Sequence, residues 1–373
     1  MRVLFTGGGT GGHFFPNIAV IRELKRIAKE SHILSLELFY IGPDDFGKEI
    51  LQEENVAFVR IKSGKIRRYF SLYNLLDSFR TFAAVLQAVW NLFFIMPDII
   101  FSKGGFGAFP VVVAAIVFHI PLIIHESDSI PGKVNIFSTR FAKRIGVAFG
   151  GAEKFFPKEK TALIGVPIRK RILGGNKDEA REHFGIMTDL PVVGIIGASQ
   201  GAQRINEAAI DVLPEITNEF EVIHQTGEQN YKDVMGEARV MLESGFPERY
   251  HAFGFLDETR IREFFSASDI IVSRSSGSMI FEIAAWGKPS ILIPLGNSAQ
   301  DHQRKNAYEY AGTGAASVLE ESNLTPHLLL AEIKKIIGNP ELMRTMGEAA
   351  QRFSKIDSAE VIAREIIKLG VHD

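Results

Sequence analysis

Two runs of glycine mark where this chain could hold an anion. Gly7 to Gly12 read GGGTGG and are followed by His13; Gly197 to Gly201 read GASQG. Each run follows an apolar strand-like stretch and precedes a helical one. A backbone bare of Cβ atoms lets a charged ligand lie against amide N–H groups at the positive end of a helix, so each turn is a candidate phosphate site. His13, whose imidazole titrates near working pH, is a candidate general base. The plainer role, a histidine that caps or packs, stays open. Gly7, Gly9 and Gly12 also fit G-x-G-x-x-G, the dinucleotide pattern of an NAD-dependent oxidoreductase. The acid that should close the second strand is late, however: Ile41 is followed by Gly42 and Pro43 before Asp44 and Asp45, which read as turn residues. Gly197, Ser199 and Gly201 fit G-x-S-x-G, the hydrolase nucleophile elbow. Its acid and histidine would have to be Asp301 and His302, whose adjacency suits a triad poorly. Two such turns in one chain fit better with two nucleotide-type halves that pass a group from a nucleoside diphosphate to a second substrate.

The elements that must position these residues alternate between β and α. Apolar runs predict strands at Val3 to Thr6, Leu36 to Ile41, Ile99 to Phe101, Leu122 to Ile124 and Ile145 to Ala148. A second series follows at Val192 to Ile196, Glu221 to Gln225, Ile270 to Ser273 and Ser290 to Pro294. Helix-length segments separate them, the pattern of doubly wound parallel sheets. The break between halves is expected near Gly165, Val166 and Pro167. This gives a first domain over 1–164, a second over 165–349, and a C-terminal helical segment, about 350–373, packing back on the first. Its last amphipathic helix is predicted over Ala359 to Leu369.

The 373 residues, 46% of them hydrophobic, are enough for two ordinary α/β cores. No cysteine is present, which excludes disulfides and thiolate metal sites. A formal net charge of −2 excludes bulk nucleic-acid binding. Met1 and Arg2 run straight into a strand, so a cytoplasmic protein is expected. Between Gly104 and Ile124 only His119 is strongly polar, long enough to suggest a membrane span. Pro110 and Pro121 instead divide the stretch into a buried helix (Val111 to Phe118) and a short strand.

Further motifs narrow the reading. The chain carries GGTGGHFFPNIA (Gly8 to Ala19), GGFGAFP (Gly104 to Pro110), HES (His125 to Ser127), GVPIR (Gly165 to Arg169), GASQGAQRIN (Gly197 to Asn206), SRSSGSMIFEIAAWGKP (Ser273 to Pro289) and DHQRKNA (Asp301 to Ala307). In this order the set closely resembles the MurG family, bacterial N-acetylglucosaminyltransferases that convert lipid I to lipid II in peptidoglycan synthesis. The likeness covers nearly the whole chain. It implies a GT-B fold, two Rossmann-like doubly wound domains facing across a cleft, with the donor UDP-GlcNAc held mainly by the C-terminal one. The rivals within that architecture are a UDP-GlcNAc 2-epimerase and another glycolipid glycosyltransferase.

Carried over residue by residue, the resemblance places donor contacts at Thr10, Gly11, Gly12, Asp128, Arg169, Ser199, Leu256, Gly277, Ser278, Met279, Glu282 and Gln303. The chemistry of the residues agrees: amides at Ser275 to Ser278 precede a helix, Glu282 can accept from ribose hydroxyls, and Gln303 and Asn306 can reach the sugar. Arg169 can stabilise the leaving diphosphate. No D-x-D triplet occurs, and no metal or cofactor is expected. The chain departs from the family pattern at three places. Asp128 replaces an asparagine and cannot donate a side-chain hydrogen bond when ionised. Ser278 and Met279 shift a hydroxyl by one position, and Phe106 replaces a tyrosine.

The implied reaction is attack by the C4 hydroxyl of lipid-linked MurNAc on C1 of GlcNAc, with inversion. His13 is the leading base and Glu126 the alternative. The acceptor diphosphate is expected on the glycine turns, at Gly9, Gly104 and Gly105. An acceptor that hangs from a bilayer places the enzyme at the cytoplasmic face of the bacterial cell membrane as a peripheral protein. Lys65, Arg67 and Arg68, followed by Phe70, Leu75 and Phe79, form the expected docking patch for anionic lipid.

Overall fold

The computed structural model describes residues 1–62, 73–197 and 202–371. The chain forms two compact units, Met1–Arg169 with Lys355–Asp373, and Lys170–Ser354.

The first unit is built on seven parallel strands. They are β1 (Arg2–Thr6), β2 (Glu37–Gly42), β3 (Ala57–Arg60), β4 (Ile99–Ser102), β5 (Leu122–Glu126), β6 (Arg144–Val147) and β7 (Thr161–Leu163). Their order across the sheet is β3-β2-β1-β4-β5-β6-β7. The central strands are apolar along their whole length because helices cover both faces. Alternate residues serve opposite cores. Val3, Phe5, Ile99 and Phe101 pack with the helix Gly11–Glu30 and the helix Ser358–Gly370. Leu4, Ile100, Leu122 and Ile124 pack with the helices Tyr73–Ile95 and Phe109–Val117. The apolar stretch from Gly104 to Ile124 is thus a nine-residue helix followed by a strand. Among the described residues no helix is long and apolar enough to cross a membrane.

The second unit repeats the plan with six parallel strands: β8 (Val192–Ile196), β9 (Glu221–Gln225), β10 (Tyr250–Phe253), β11 (Ile270–Ser273), β12 (Ser290–Leu292) and β13 (Ala316–Val318). Their order is β10-β9-β8-β11-β12-β13. In both sheets the first strand lies beside the fourth, so connections run outward on either side and leave a crevice at the carboxyl ends, where doubly wound sheets bind ligands. The chain passes from the first unit to the second between Arg169 and Lys170 and returns at Lys355.

Four strands lie beyond those expected from the sequence: β3, β7, β10 and β13. All four are sheet edges.

Candidate functional site

The crevice of the first unit is lined by the turns that leave β1, β4 and β5. After β1 the chain turns at Gly7 to Gly9 and enters the helix Gly11–Glu30 with Thr10 at its N-cap. Thr10 is extended and makes no side-chain cap, and the first turn of the helix carries no acidic residue. A twenty-residue helix therefore begins here with no side-chain anion of its own in its first turn, the electrostatic setting of an anion site. The turn after β4 is matched to it. Gly104 and Gly105 both have positive φ (73° and 81°), and a Cβ on Gly105 would lie 3.0 Å from the backbone of Gly8. The two glycine turns thus touch through their main chains. Asp44 also borders this crevice, its carboxylate against Gly9 where a Cβ would overlap it. Its Oδ1 accepts from Phe46 N–H, so Asp44 closes a turn as its position after Pro43 suggests.

His13 sits between these turns. Its ring lies against Gly8 and Gly105, and Nδ1 is 3.1 Å from the carbonyl oxygen of Lys103. A carbonyl only accepts, so Nδ1 carries the proton of the neutral ring and Nε2 is the nitrogen that can take another. Arg169, the last residue of the first unit, is buried with its guanidinium stacked over Phe15, 4.1 Å from the ring centroid. The structure therefore gathers His13, Arg169, Thr10 and the two glycine turns at one end of one helix.

The end of β5 supplies His125, Glu126 and Ser127. His125 is fully buried and donates from Nε2 to Gly165 O at 2.7 Å. Glu126 accepts at its carboxylate from Gly132 N–H (2.9 Å), Asn135 Nδ2 (2.9 Å) and Asp128 N–H (3.1 Å). Burial, then the neighbouring Asp128, push the Glu126 carboxyl above the usual carboxylate range. Its oxygens thereby clasp the loop that follows β5. Two residues absent from the sequence reading belong to this cluster. Asn135 bridges Glu126 and His125 O, and Lys103 links the β5 end to His13. A lysine ending the apolar run Ile99 to Ser102, at the carboxyl edge of a parallel sheet, was the available signal.

In the second unit the expected donor residues cluster around the loop after β11. Ser276 caps the helix Gly277–Ala285, its hydroxyl accepting from Met279 N–H. Gly277, Ser278 and Met279 form the first turn, again without an acidic residue. Glu282 lies one turn further and is buried, unlike a solvated helix acid. The helix His302–Ala311 locks against this loop: Ser275 Oγ donates to Gln303 O (2.8 Å), and Asn306 Nδ2 donates to Ser275 O (3.2 Å). Asn306 is wholly buried, so it fixes the loop instead of reaching a sugar. Gln303 Oε1 accepts from Leu295 N–H at 3.1 Å, which holds the amide in place. Leu256 follows β10 and is buried. Ser199 lies outside the described residues, as do Lys65, Arg67, Arg68 and Phe70 of the expected membrane patch.

Sequence comparison places this geometry in a family. The glycosyltransferase family 28 N-terminal domain matches residues 3–147, and the C-terminal domain of the same family matches residues 192–362. A UDP-N-acetylglucosamine–N-acetylmuramyl-(pentapeptide) pyrophosphoryl-undecaprenol N-acetylglucosamine transferase of Bacillus thuringiensis subsp. konkukian is 34% identical over 98% of this chain and 99% of its own. The chain belongs to the MurG family. A MurG-family transferase of Legionella pneumophila (strain Paris) is 36% identical over 99% of this chain and 97% of its own. Among solved structures, Acinetobacter baumannii MurG superposes with a TM-score of 0.75 at 23% identity, covering 98% of this chain and 99% of that one. The fold is GT-B, as the two Rossmann-order sheets imply. The oxidoreductase and hydrolase readings of the two glycine turns fall away with this membership.

Proposed function

We propose that this chain transfers N-acetylglucosamine from UDP-GlcNAc to lipid I, undecaprenyl-pyrophosphoryl-MurNAc-pentapeptide, giving lipid II for peptidoglycan synthesis. Full-length likeness to MurG-family transferases supports the reaction. For its mechanism, the observation that carries most is the helix N-terminus at Thr10 to His13. It joins a helix start with no acidic residue in its first turn to a histidine whose Nδ1 is held by a main-chain carbonyl.

The donor diphosphate lies against the first turn of the helix Gly277–Ala285, with Glu282 accepting from the ribose and Gln303 donating its amide to the sugar. The acceptor diphosphate lies on the turns at Gly9, Gly104 and Gly105. His13 Nε2 takes the proton from the C4 hydroxyl as its oxygen bonds to C1 of GlcNAc and the C1–O bond to UDP breaks. Attack from the face opposite the leaving group turns the α linkage into β. Arg169 and the helix dipoles stabilise charge on the departing UDP. His13 is favoured over Glu126 because the Glu126 oxygens are engaged by two main-chain N–H groups of the loop after β5 and by the Asn135 amide.

An acceptor carried by a polyprenyl chain requires contact with the bilayer, and one element suits it. The helix Tyr73–Ile95 has no charged residue after Arg80, and Phe79, Phe82, Leu86, Trp90, Phe93 and Phe94 are each more than half exposed. Their spacing of three and four puts them along one side of the helix, opposite the buried Ala84, Ala88 and Leu92. This stripe, following in sequence the basic Lys65, Arg67 and Arg68, fits a peripheral helix lying in the interface of an anionic membrane. The deciding experiment incubates the protein with UDP-GlcNAc and lipid I and follows the lipid-linked disaccharide. Release of UDP without that product would reject the acceptor assignment.

A further inference from the structure

A lysine ammonium is costly to remove from water, and one that stays buried has to be held by groups that accept its protons. Lys103 stands where β4 ends and the second glycine turn begins, and it is 2% exposed. Three of its groups reach three parts of the first unit. Its N–H donates to Thr6 O at the end of β1 (2.9 Å). Its carbonyl accepts from His13 Nδ1. Its Nζ donates to His125 Nδ1 and Ser127 Oγ at the end of β5. Because His125 gives its Nε2 proton to Gly165 O, its Nδ1 is the matching acceptor.

We infer that Lys103 is a positioning residue for the transfer reaction: its buried side chain ties the end of β5 to the segment that holds His13, and so sets the two glycine turns to receive the acceptor's diphosphate. The inference rests on the reading of these turns as the acceptor site and deepens it. The groups around the ammonium are His125, Glu126 and Asp128 from the end of β5, with His13 at the lysine carbonyl. Burial pulls Lys103 down to about 7, against Glu126 and Asp128, which pull it up. His125 is held well below the imidazole range by burial and by Lys103 itself, so it remains a neutral acceptor. A diphosphate on the adjacent turns adds negative charge and favours the ammonium. In the empty site the ammonium predominates below about pH 7 and is lost above it, so acceptor binding that draws on it weakens as pH rises through that value.

The test measures acceptor KM and kcat with lipid I from pH 6 to 9 for the unaltered chain, K103M and K103R, with the calorimetric unfolding transition of the first unit as the control for folding and UDP-GlcNAc affinity as the control for the donor site. The esterified diphosphate does not titrate over this range. The unaltered chain is expected to show an acceptor KM rising about tenfold with pH, the effect of one lost charge interaction. K103M should have a high, pH-independent acceptor KM with normal donor affinity. K103R, charged at every pH, should recover part of the loss and be equally flat. An acceptor KM that is constant from pH 6 to 9 in the unaltered chain overturns the proposal even if neither variant folds, and so does a K103M profile like that of the unaltered chain. H13A separates the two readings. A normal kcat in H13A removes His13 as the base, while its acceptor KM still tests Lys103.

Discussion

On the proposed mechanism, the hydrogen bond from His13 Nδ1 to the Lys103 carbonyl matters because it selects the tautomer in which Nε2 is the nitrogen that takes the acceptor's proton. Replacing His13 by alanine should lower kcat about 10² to 10⁴-fold with donor affinity intact, as expected for loss of a general base; steady-state kinetics beside calorimetry check both halves. Gly105 offers a second residue-scale test. Its φ of 81° and its approach to Gly8 leave no room for a methyl group against unyielding main chain. G105A should cost about 1–3 kcal/mol of stability and raise the acceptor KM, read by thermal melts and kinetics. In the second unit, His224 is buried between Tyr250 OH and Asn206 Oδ1, and burial lowers it from 6.5 to about 3. Between those values the unfolded chain binds a proton that the native chain refuses, so stability rises with pH across the window and is lost on acidification. Chemical denaturation of H224Q from pH 3 to 7 should show a shallower loss. The glycines and His13 were legible because turn chemistry leaves a signature in residue type. Lys103 and Asn135 were not, because their importance comes from what lies beside them in space: Lys103 meets His125, 22 residues away, and Asn135 reaches back 9 and 10 residues to Glu126 and His125.

Strands and helices divide by the same logic. Interior strands such as β1 and β4 were evident as unbroken apolar runs, the mark of a strand covered on both faces. The edge strands β3, β7, β10 and β13 have one neighbour each and mixed exposure, so their sequences carry no such run. The helix Tyr73–Ile95 hid its exposed side for another reason: it carries no charged residue after Arg80 to mark a solvent face, and the expected patch stopped at Phe79. Changing Phe82, Trp90 and Phe93 to serine should reduce binding to anionic vesicles strongly while leaving the melting temperature unchanged, because these side chains are already exposed. Charge reversal at Lys65, Arg67 and Arg68 should do the same at low salt. Vesicle cosedimentation reads both, and unaltered binding in the serine variant would remove the helix from the membrane.

The whole chain folds as two units of one plan, yet the first is not continuous in sequence. The helix Ser358–Gly370 places Ile362 and Ile366, both buried, in the core against the helix Gly11–Glu30. Each isoleucine-to-alanine change there should cost about 2–5 kcal/mol. The double variant should lower the unfolding transition of the first unit and leave that of the second in place, as calorimetry would reveal. The alternation of β and α, and the return of the last helix, were readable from period and amphipathicity. The step from Arg169 to Lys170 carries no such mark, since it is set by which neighbours each residue keeps.

That shared core bears on biogenesis. β1 and the helix Gly11–Glu30 are synthesised long before the helix Ser358–Gly370, so the part of their shared core that this late helix packs against stays bare until it has left the exit tunnel. The half translated first is therefore the half that matures last, and it waits with sticky surface bare while the later half, continuous in sequence, completes itself.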